Sequence, residues 1–251
     1  MKTAVITGAS SGLGEQYYKE LSKEKYGFES IWLIARRREK LEEIAQNDGR
    51  VKILSLDLCE RGSFDLLSEE LSKAKAEIGL LINNAGVGTH GDFDTLSPES
   101  QARMTDLNVT ALTLTTSVCL PFMKRGSAII NVSSIASFAP NPGMTVYSST
   151  KAYVLAFSKC LREELRKKRG INVLAVCPGP MDTEFLDVAR IRGNSKMFET
   201  LPYCNPEKVV TQSVKRALKG KAVSVNLLLF KLYRVVAKIL PHNLVMKFSR
   251  T

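Results

Sequence analysis

Six short apolar runs alternate with longer helical stretches, and this alternation constrains the fold more than any other feature of the sequence. The runs are near-continuous rather than alternating in polarity, as expected for parallel strands buried on both faces of a sheet. They cover residues 4–7, 30–35, 51–56, 79–82, 127–132 and 171–176. A strand–helix–strand order implies right-handed crossovers and a doubly wound sheet. For a chain of 251 residues, we predict a single α/β domain that binds ligands beyond the carboxyl ends of its strands.

The net charge of +11 is concentrated at the end of the chain. Residues 1–207 carry 26 basic and all 25 acidic side chains, whereas residues 208–251 carry ten basic side chains and no acidic one. The basic character belongs to a tail, and there is no nucleic-acid motif, so we predict no nucleic-acid partner. Five scattered cysteines indicate reduced thiols, and no run is long enough for an export signal or a membrane span. We therefore predict a cytoplasmic protein.

The loop after the first predicted strand is rich in glycine. It reads Thr7-Gly8-Ala9-Ser10-Ser11-Gly12-Leu13-Gly14, and glycines there let the backbone turn and approach a pyrophosphate at the start of the next helix. A plain strand-to-helix turn is the alternative. The pattern predicts a dinucleotide site of the Rossmann type, with the following cofactor residues: Gly8, Ser10, Ser11, Gly12, Leu13 and Gly14.

Three arginines, Arg36, Arg37 and Arg38, follow the second predicted strand. An NAD site places an Asp or Glu about 20 residues past the glycines, where it binds the ribose 2′-hydroxyl. Arginine instead offers a planar fork that matches a 2′-phosphate. We predict NADP(H) as cofactor, with Arg36 and Arg37 as its ligands and Arg38 as a solvated residue.

Polar or small residues also follow the third and fourth predicted strands. Asp57 and Leu58 come after the third strand, where a carboxylate either accepts from the adenine amino group or caps a helix. Asn84, Ala85 and Gly86 come after the fourth, and small residues and amides suit a strand end that lies along a cofactor.

A tyrosine and a lysine one helical turn apart follow the fifth predicted strand. Tyr147 stands 13 residues after Ser134, and Lys151 follows Tyr147 by four, so the lysine and tyrosine share one face of a helix. A phenol has a pKa of about 10 and is a poor base at neutral pH, but a nearby cation favours phenolate. Such a pair taken alone is more often a surface feature. Its meaning here depends on the other motifs.

Together these motifs resemble those of the short-chain dehydrogenase/reductase family. Their order and spacing match over residues 2–220, through the glycine loop and the following residues: Asn83-Asn84-Ala85-Gly86, Asn108, Ser134, Tyr147-Ser148-Ser149-Thr150-Lys151 and Pro178-Gly179. The resemblance implies an NADP(H)-dependent oxidoreductase that moves a hydride between the cofactor and a carbonyl or secondary alcohol. Arg36 is similar to the arginine that binds the 2′-phosphate in the family's NADP members.

The resemblance also implies catalytic roles for four residues. Tyr147 is implied as the general acid and base, and Ser134 as the hydroxyl that binds the substrate oxygen. Lys151 is implied to bind the nicotinamide ribose and to lower the pKa of the tyrosine. Asn108 is implied to hold a water of the proton relay. The carboxamide end of the nicotinamide is implied to meet a loop formed by Pro178, Gly179, Met181 and Thr183. With only two histidines in the chain, we predict no metal site.

The sequence departs from the family pattern after Gly220. We therefore divide it into a dinucleotide-binding and catalytic domain, residues 1–220, and an apolar-basic extension, residues 221–251. Residues 221–225 are the candidate for the last strand. No Gly-Gly turn of the kind that builds the tetramer in many relatives follows them, so we predict a homodimer.

Residues 227–240 of the extension form an amphipathic helix on a helical wheel. A narrow basic stripe consists of Lys231, Arg234 and Lys238, and a broad apolar face consists of Leu228, Leu229, Leu232, Val235, Val236, Ile239 and Leu240. Two interpretations stay open. The helix packs on its own domain or on a second subunit, or residues 227–251 make a peripheral contact with a membrane surface.

The substrate is predicted to be a small apolar carbonyl or alcohol. The loop over residues 182–203, where the family covers its substrate, contains Phe185, Leu186, Ile191, Met197, Phe198 and Leu201. This favours a 3-oxoacyl, steroid-like or lipidic ketone. The alternative function is a membrane-surface scaffold or NADPH sensor with little turnover. The complete catalytic set argues against it, because a protein that only binds the cofactor does not need that set.

Overall fold

The computed structural model describes residues 2–193 and 195–249 of the chain. Met1, Asn194, Arg250 and Thr251 lie outside the description, and the last two belong to the predicted extension. The side chains of residues 196–197 and 247–249 also lie outside it.

All strands of the described residues are parallel and form one sheet. They are β1 (Lys2–Thr7), β2 (Ser30–Ala35), β3 (Val51–Ser55), β4 (Glu77–Asn83), β5 (Met123–Val132), β6 (Asn172–Val176) and β7 (Val223–Ser224). Their order across the sheet is β3-β2-β1-β4-β5-β6-β7. The predicted doubly wound parallel sheet is confirmed, since each of the six apolar runs forms a strand. The seventh strand pairs with β6, so the sheet extends past residue 220.

Helices connect the strands and cover both faces of the sheet. They are α1 (Gly12–Leu21), α2 (Arg38–Ala45), α3 (Gly62–Lys73), α4 (Pro98–Thr105), α5 (Leu112–Cys119), α6 (Thr145–Arg169), α7 (Glu184–Val188), α8 (Lys196–Thr200), α9 (Pro206–Leu218), α10 (Leu228–Ile239) and α11 (His242–Ser249). Helices α4 and α9 each begin at a proline. The residue before each proline accepts a backbone N–H, Ser97 from Ser100 and Asn205 from Lys208, and this satisfies a donor that the first turn leaves free.

Two apolar layers enclose the sheet. One lies beneath α1, α2 and α9, with Tyr17, Leu41 and Val210 buried in it. The other lies beneath α3, α5 and α6, with Phe64 and Leu165 buried in it. Because helices cover both faces, the central strands are apolar at nearly every position. That explains why the six runs were near-continuous.

Buried amides join the ends of the central strands β4 and β5. The Nδ2 of Asn83 donates to Oδ1 of Asn131 at 2.8 Å and to Oγ1 of Thr116 at 2.9 Å. Asn131 in turn donates to Oγ of Ser158 at 2.9 Å. Buried polar groups need such partners, and these bonds tie both strand ends to α5 and α6. The floor of the site is therefore rigid where the strands end.

Helix α10 packs on the domain through a narrow inner face. Phe230 and Ala237 are buried there, and Tyr233 is partly buried against Phe138, with ring centroids 6.0 Å apart. A Cβ built on Gly179 would overlap Cε2 of Phe230 and lie 2.6 Å from its Cζ. The helix thus rests directly on the segment after β6.

The broad apolar face of α10 from the helical wheel is not the packed face. All seven of its residues are exposed, and we call them the outer apolar face: Leu228, Leu229, Leu232, Val235, Val236, Ile239 and Leu240. The wheel did not separate the two faces because α10 is apolar nearly all round except for its basic stripe. Among the described residues, no helix combines the length and apolarity needed to cross a membrane.

Candidate active site

The carboxyl ends of the strands open on a cavity of about 390 Å³. It lies where the strand order reverses between β1 and β4, the position at which doubly wound sheets bind ligands. Every predicted cofactor residue except Gly14 lines this cavity, together with Ser134, Tyr147 and Lys151. Asn108 does not line it. The structure thus gathers at one edge of the sheet side chains that lie far apart in the sequence.

The glycine loop is held close to the end of β4. Gly8 has φ +64°, and a Cβ there would lie 2.8 Å from Cα of Ala85, so only glycine suits this approach. Asn84 donates to the carbonyls of Thr7 and Gly8, each at 3.1 Å. A Cβ on Gly14 would lie 2.7 Å from the carbonyl carbon of Gly8. Gly14 therefore allows α1 to pack on the loop and stands behind the cavity.

Arg36 lies at the mouth of the cavity with 58% of its side chain exposed. Its Nη1 is 3.8 Å from Oδ2 of Asp57. Burial alone would raise the pKa of Asp57, but the N–H of Cys59 and the charges of Arg103 and Arg36 hold it below the usual value. Asp57 also caps a turn, because its Oδ1 accepts the Cys59 N–H at 3.0 Å. It lines the cavity and acts as a cap at the same time.

Arg37 connects the two rims of the cavity. It donates to Oγ of Ser10 at 3.3 Å and to Oε2 of Glu184 at 3.0 Å. Glu184 begins α7 in the predicted substrate loop, so the glycine loop and the substrate loop are joined. Arg38 instead pairs with Glu42 on α2 at 2.9 Å, outside the cavity.

Ser134 and Tyr147 meet at the inner end of the cavity. Ser134 follows β5, and its Oγ accepts the N–H of Ala136 at 3.1 Å. Burial raises the pKa of Tyr147 to about 12, and a hydrogen bond with Ser134 opposes this rise. The ring is enclosed by Phe185, with centroids 5.6 Å apart, and by Gly88, whose Cβ would lie 3.0 Å from Cδ2 of Tyr147. In the protein alone, Tyr147 is a phenol at neutral pH.

Lys151 is buried one turn after Tyr147. Its Nζ donates to the carbonyl of Val132 at 3.0 Å and lies 5.7 Å from the centroid of the Tyr147 ring. Burial lowers the pKa of Lys151 to about 8, so most of it is charged at neutral pH. The lowering of the tyrosine pKa that the resemblance implied is absent from the protein alone, because the cost of burying a phenolate exceeds what Lys151 offsets.

Asn108 lies in a π-helical turn, Asp106–Ala111, between α4 and α5. Its Oδ1 accepts the N–H of Val87 at 2.8 Å, and its Nδ2 donates to the carbonyl of Val87 at 2.8 Å and to Oγ1 of Thr150 at 3.0 Å. The side chain therefore fastens the segment after β4 to α6. Extra turns of this kind are frequent at functional sites. A water in the proton relay has to be held by the main chain of Asn108, since the side chain is already engaged.

Three lining residues were not found from the sequence. Asn141 has a buried Oδ1 without a hydrogen-bond partner among the described residues. Glu184 contacts Arg37, and Tyr233 reaches the cavity from α10. None of them belongs to a motif or a periodic pattern, so no sequence signal distinguished them.

The substrate end of the cavity is mostly apolar. Of the hydrophobic residues predicted in the loop, four line it: Phe185, Leu186, Phe198 and Leu201. Ile191 is buried in the cluster around them, and the Met197 side chain lies outside the described part of the chain. Across the described residues there is no group of three His, Cys, Asp or Glu side chains placed to hold a metal ion.

A glycine-lined crevice at the switch point of a parallel sheet, with a buried Ser–Tyr–Lys group at its inner end, defines a nicotinamide-dependent oxidoreductase. The short chain dehydrogenase family matches residues 2–192. The chain belongs to this family, and it is an oxidoreductase acting on CH–OH groups.

Curated relatives span several substrates. An NADP-dependent 3-hydroxy acid dehydrogenase of Schizosaccharomyces pombe is 34% identical over 226 residues, covering 86% of this chain and 85% of that protein. The very-long-chain 3-oxoacyl-CoA reductase of Homo sapiens is 31% identical over 223 residues, 84% of this chain and 67% of that protein. The 17-beta-hydroxysteroid dehydrogenase type 3 of Rattus norvegicus is 35% identical over 215 residues, 80% and 68%.

Solved structures with the same fold contain either form of the cofactor. A short-chain dehydrogenase from Sphingobium yanoikuyae in complex with NADPH has a TM-score of 0.79 at 30% identity and covers 96% of this chain and 97% of its own. A 3-ketoacyl-(acyl-carrier-protein) reductase from Brucella melitensis complexed with NADH has a TM-score of 0.78 at 26% identity, covering 89% and 95%. The likeness therefore leaves the choice between NADP and NAD to the residues of this chain.

Proposed function

We propose that this protein transfers a hydride between NADP(H) and the carbonyl or secondary alcohol of an apolar substrate. One observation carries the proposal. The Ser134–Tyr147–Lys151 group and the glycine loop line one continuous cavity, so a dinucleotide lying along the strand ends would reach the tyrosine. The glycine residues fit such a group, since a Cβ at Gly8 or Gly86 would fill the space beside the cofactor path.

The bound nicotinamide supplies or accepts the hydride at the carbonyl carbon. Tyr147, a phenol at neutral pH, donates its proton to the carbonyl oxygen in the reductive direction and accepts one in the oxidative direction. The Ser134 hydroxyl donates a second hydrogen bond to the same oxygen, where negative charge develops. The Lys151 ammonium holds a positive charge near the phenol and favours its deprotonation during oxidation.

Arg36 is proposed to select NADP(H) by binding the 2′-phosphate. It stands where an NAD site has an acidic residue, and its exposed guanidinium lies at the cavity mouth. A charge-assisted contact of this kind is worth about 1.5–3 kcal/mol, or roughly 10- to 150-fold in affinity. Two of the similar proteins carry NADP or NADPH in their descriptions.

Titration calorimetry with NADPH and NADH tests this choice. Arg36→Ala should weaken NADPH by roughly 10- to 150-fold and leave NADH nearly unchanged. Arg38→Ala is the matched control, because Arg38 pairs with Glu42 outside the cavity. Equal affinity of the unaltered protein for the two cofactors would show that Arg36 selects nothing.

The proposed substrate is a 3-oxoacyl, steroid-like or lipidic ketone, or the matching alcohol. The apolar wall of the cavity supports this, with Phe185 and Leu186 beside Tyr147, and so does the range of substrates among the curated relatives. A panel of such ketones and alcohols, followed by NADPH oxidation or NADP reduction, tests it. Turnover confined to small polar carbonyls would reject the apolar class while leaving the hydride transfer intact.

The protein is further proposed to be a cytoplasmic homodimer. The five cysteines are all free in the described part of the chain, which agrees with a reducing compartment. Sedimentation velocity measures the mass in solution, and a monomer or a tetramer would reject the dimer.

A further inference from the structure

The outer apolar face leaves a large hydrophobic surface uncovered. Its seven side chains and Leu244 of α11 are between 39% and 74% exposed, with Leu228 at 70% and Ile239 at 74%. They account for eight of the fourteen large apolar side chains exposed in the described part of the chain. Single exposed leucines are ordinary, but a contiguous patch of this kind indicates an interaction surface.

A groove rich in positive charge runs beside this face. Its cations are Arg216, Lys231, Arg234 and Lys238, which we call the basic groove. Arg216 donates through Nη2 to the carbonyl of Val223 at 2.8 Å, while its buried Nε has no hydrogen-bond partner among the described residues. The groove also contains Val235 and Ile239, so charge and apolar surface are continuous.

No acidic residue follows Glu207 in the sequence, so the charge of this surface is not balanced from within the tail. The partner must therefore combine negative charge with an apolar phase. A second copy of this chain does not meet that requirement, because a two-fold contact through α10 would bring the same cations together. An anionic bilayer meets it, with headgroups for the cations and acyl chains for the leucines.

We propose that α10 and the basic groove form a docking surface for membranes with anionic headgroups. The inner face of α10 holds the helix to the domain, the outer apolar face enters the interface, and the basic groove binds headgroup phosphates. The attachment is peripheral, since a helix of 12 residues is about 18 Å long and a hydrocarbon core is about 30 Å thick. This docking does not depend on the proposed substrate or cofactor.

Co-sedimentation of the full chain with vesicles tests the proposal. Vesicles of phosphatidylglycerol and phosphatidylcholine in equal parts should bind the protein at low salt, and vesicles of phosphatidylcholine alone should bind it weakly. Binding should fall at high salt because headgroup attraction is screened. Failure of the unaltered protein to bind the anionic vesicles at low salt would overturn the proposal.

Two sets of substitutions separate charge from apolar insertion. Each Lys or Arg near an anionic surface strengthens binding by roughly fivefold, so Lys231→Gln, Arg234→Gln and Lys238→Gln together should weaken it by about 100-fold. Leu228→Gln, Leu232→Gln and Ile239→Gln together should also weaken it, since these exposed side chains would no longer insert. Unchanged binding of either triple variant would contradict the proposal.

A matched control is available on α6. Arg166→Gln, Lys167→Gln and Lys168→Gln remove the same charge from exposed positions outside the basic groove, and this variant should bind vesicles like the unaltered protein. An equal loss in the control would mean that net charge alone causes binding, which would overturn the docking surface. Thermal melting of all three variants confirms that they are folded.

Fluorescence reports the position of α10 directly. Trp32 is the one tryptophan of the chain and is fully buried, so it gives a constant background. Ile239→Trp should show a blue shift and quenching by brominated acyl chains in anionic vesicles. Absence of quenching would contradict insertion. A dimer that the leucine triple variant abolishes, with no vesicle binding, would show that a second copy covers this face.

Discussion

Substitution of Gly179 and Phe230 tests whether the C-terminal helix is part of the catalytic domain. Phe230 is buried, and its ring occupies the space that a Cβ on Gly179 would need. Gly179→Ala therefore forces the ring to move and should destabilise the protein by about 1–3 kcal/mol. Phe230→Ala removes a fully packed aromatic side chain and should cost about 3–5 kcal/mol. For a chain of this size that corresponds to a fall in Tm of about 6–20 °C.

The two positions should also be coupled, because the clash requires both. In Gly179→Ala with Phe230→Leu, the methyl group replaces part of the lost ring, and the double variant should be more stable than the sum of the single changes by about 1–2 kcal/mol. Urea unfolding of the four proteins of this cycle measures the coupling. Ile239→Ala, on the exposed side of the same helix, is the control and should change stability by less than about 0.5 kcal/mol. Additivity within about 0.5 kcal/mol would refute the contact.

Two further predictions concern catalysis and acid stability. Tyr147→Phe should lower kcat by at least about 100-fold, since the proton donor is lost while the ring remains; calorimetry should show nearly unchanged NADPH affinity, and a normal kcat would reject the role. Burial alone would raise the pKa of Glu20, but hydrogen bonds from Lys23, Tyr26 and Lys25 lower it to about 2. Because the folded pKa lies below the unfolded one, this carboxylate stabilises the protein above about pH 5 and ceases to do so as the pH falls toward 2. Glu20→Gln should therefore cost about 2 kcal/mol at pH 7 and almost nothing at pH 2 in urea unfolding; an equal cost at both pH values would contradict this.

The strands and the helix starts were predictable because each depends on local chemistry. A strand covered on both faces must be apolar at nearly every position, so β2 matches its run from Ser30 to Ala35. Proline after a capping residue marks a helix start whatever the tertiary structure, as at Pro98 and Pro206. The alignment of the glycine loop with the strand ends follows from the same sheet geometry.

Other properties depend on segments that are distant in the sequence. The raised pKa of Tyr147 results from enclosure by Phe185, which follows it by 38 residues in the chain. The hydrogen bonds of Asn108 to Val87 and Thr150 depend on how a π-helical turn meets α6. Only the folded chain reveals either arrangement.

The packing of α10 was beyond sequence analysis for a different reason. An apolar stripe predicts burial only when the opposite side of a helix is polar. Here the wheel identified the larger apolar face, while the domain accepts the smaller one through Phe230 and Ala237. The cavity in front of Gly179 that receives Phe230 has no counterpart in the pattern of the helix itself.

The contact between Gly179 and Phe230 also determines when a newly made chain can complete its core. Strand β6 ends at Val176, and Phe230 is 54 residues further along. At about 5–20 residues per second, the ribosome needs roughly 3–10 s to add them. Through that interval the segment after β6 lacks its cover, and the nascent protein exposes apolar surface beside the future nicotinamide loop. The last helices translated are thus the ones that close the domain, so maturation has to wait until synthesis is nearly finished.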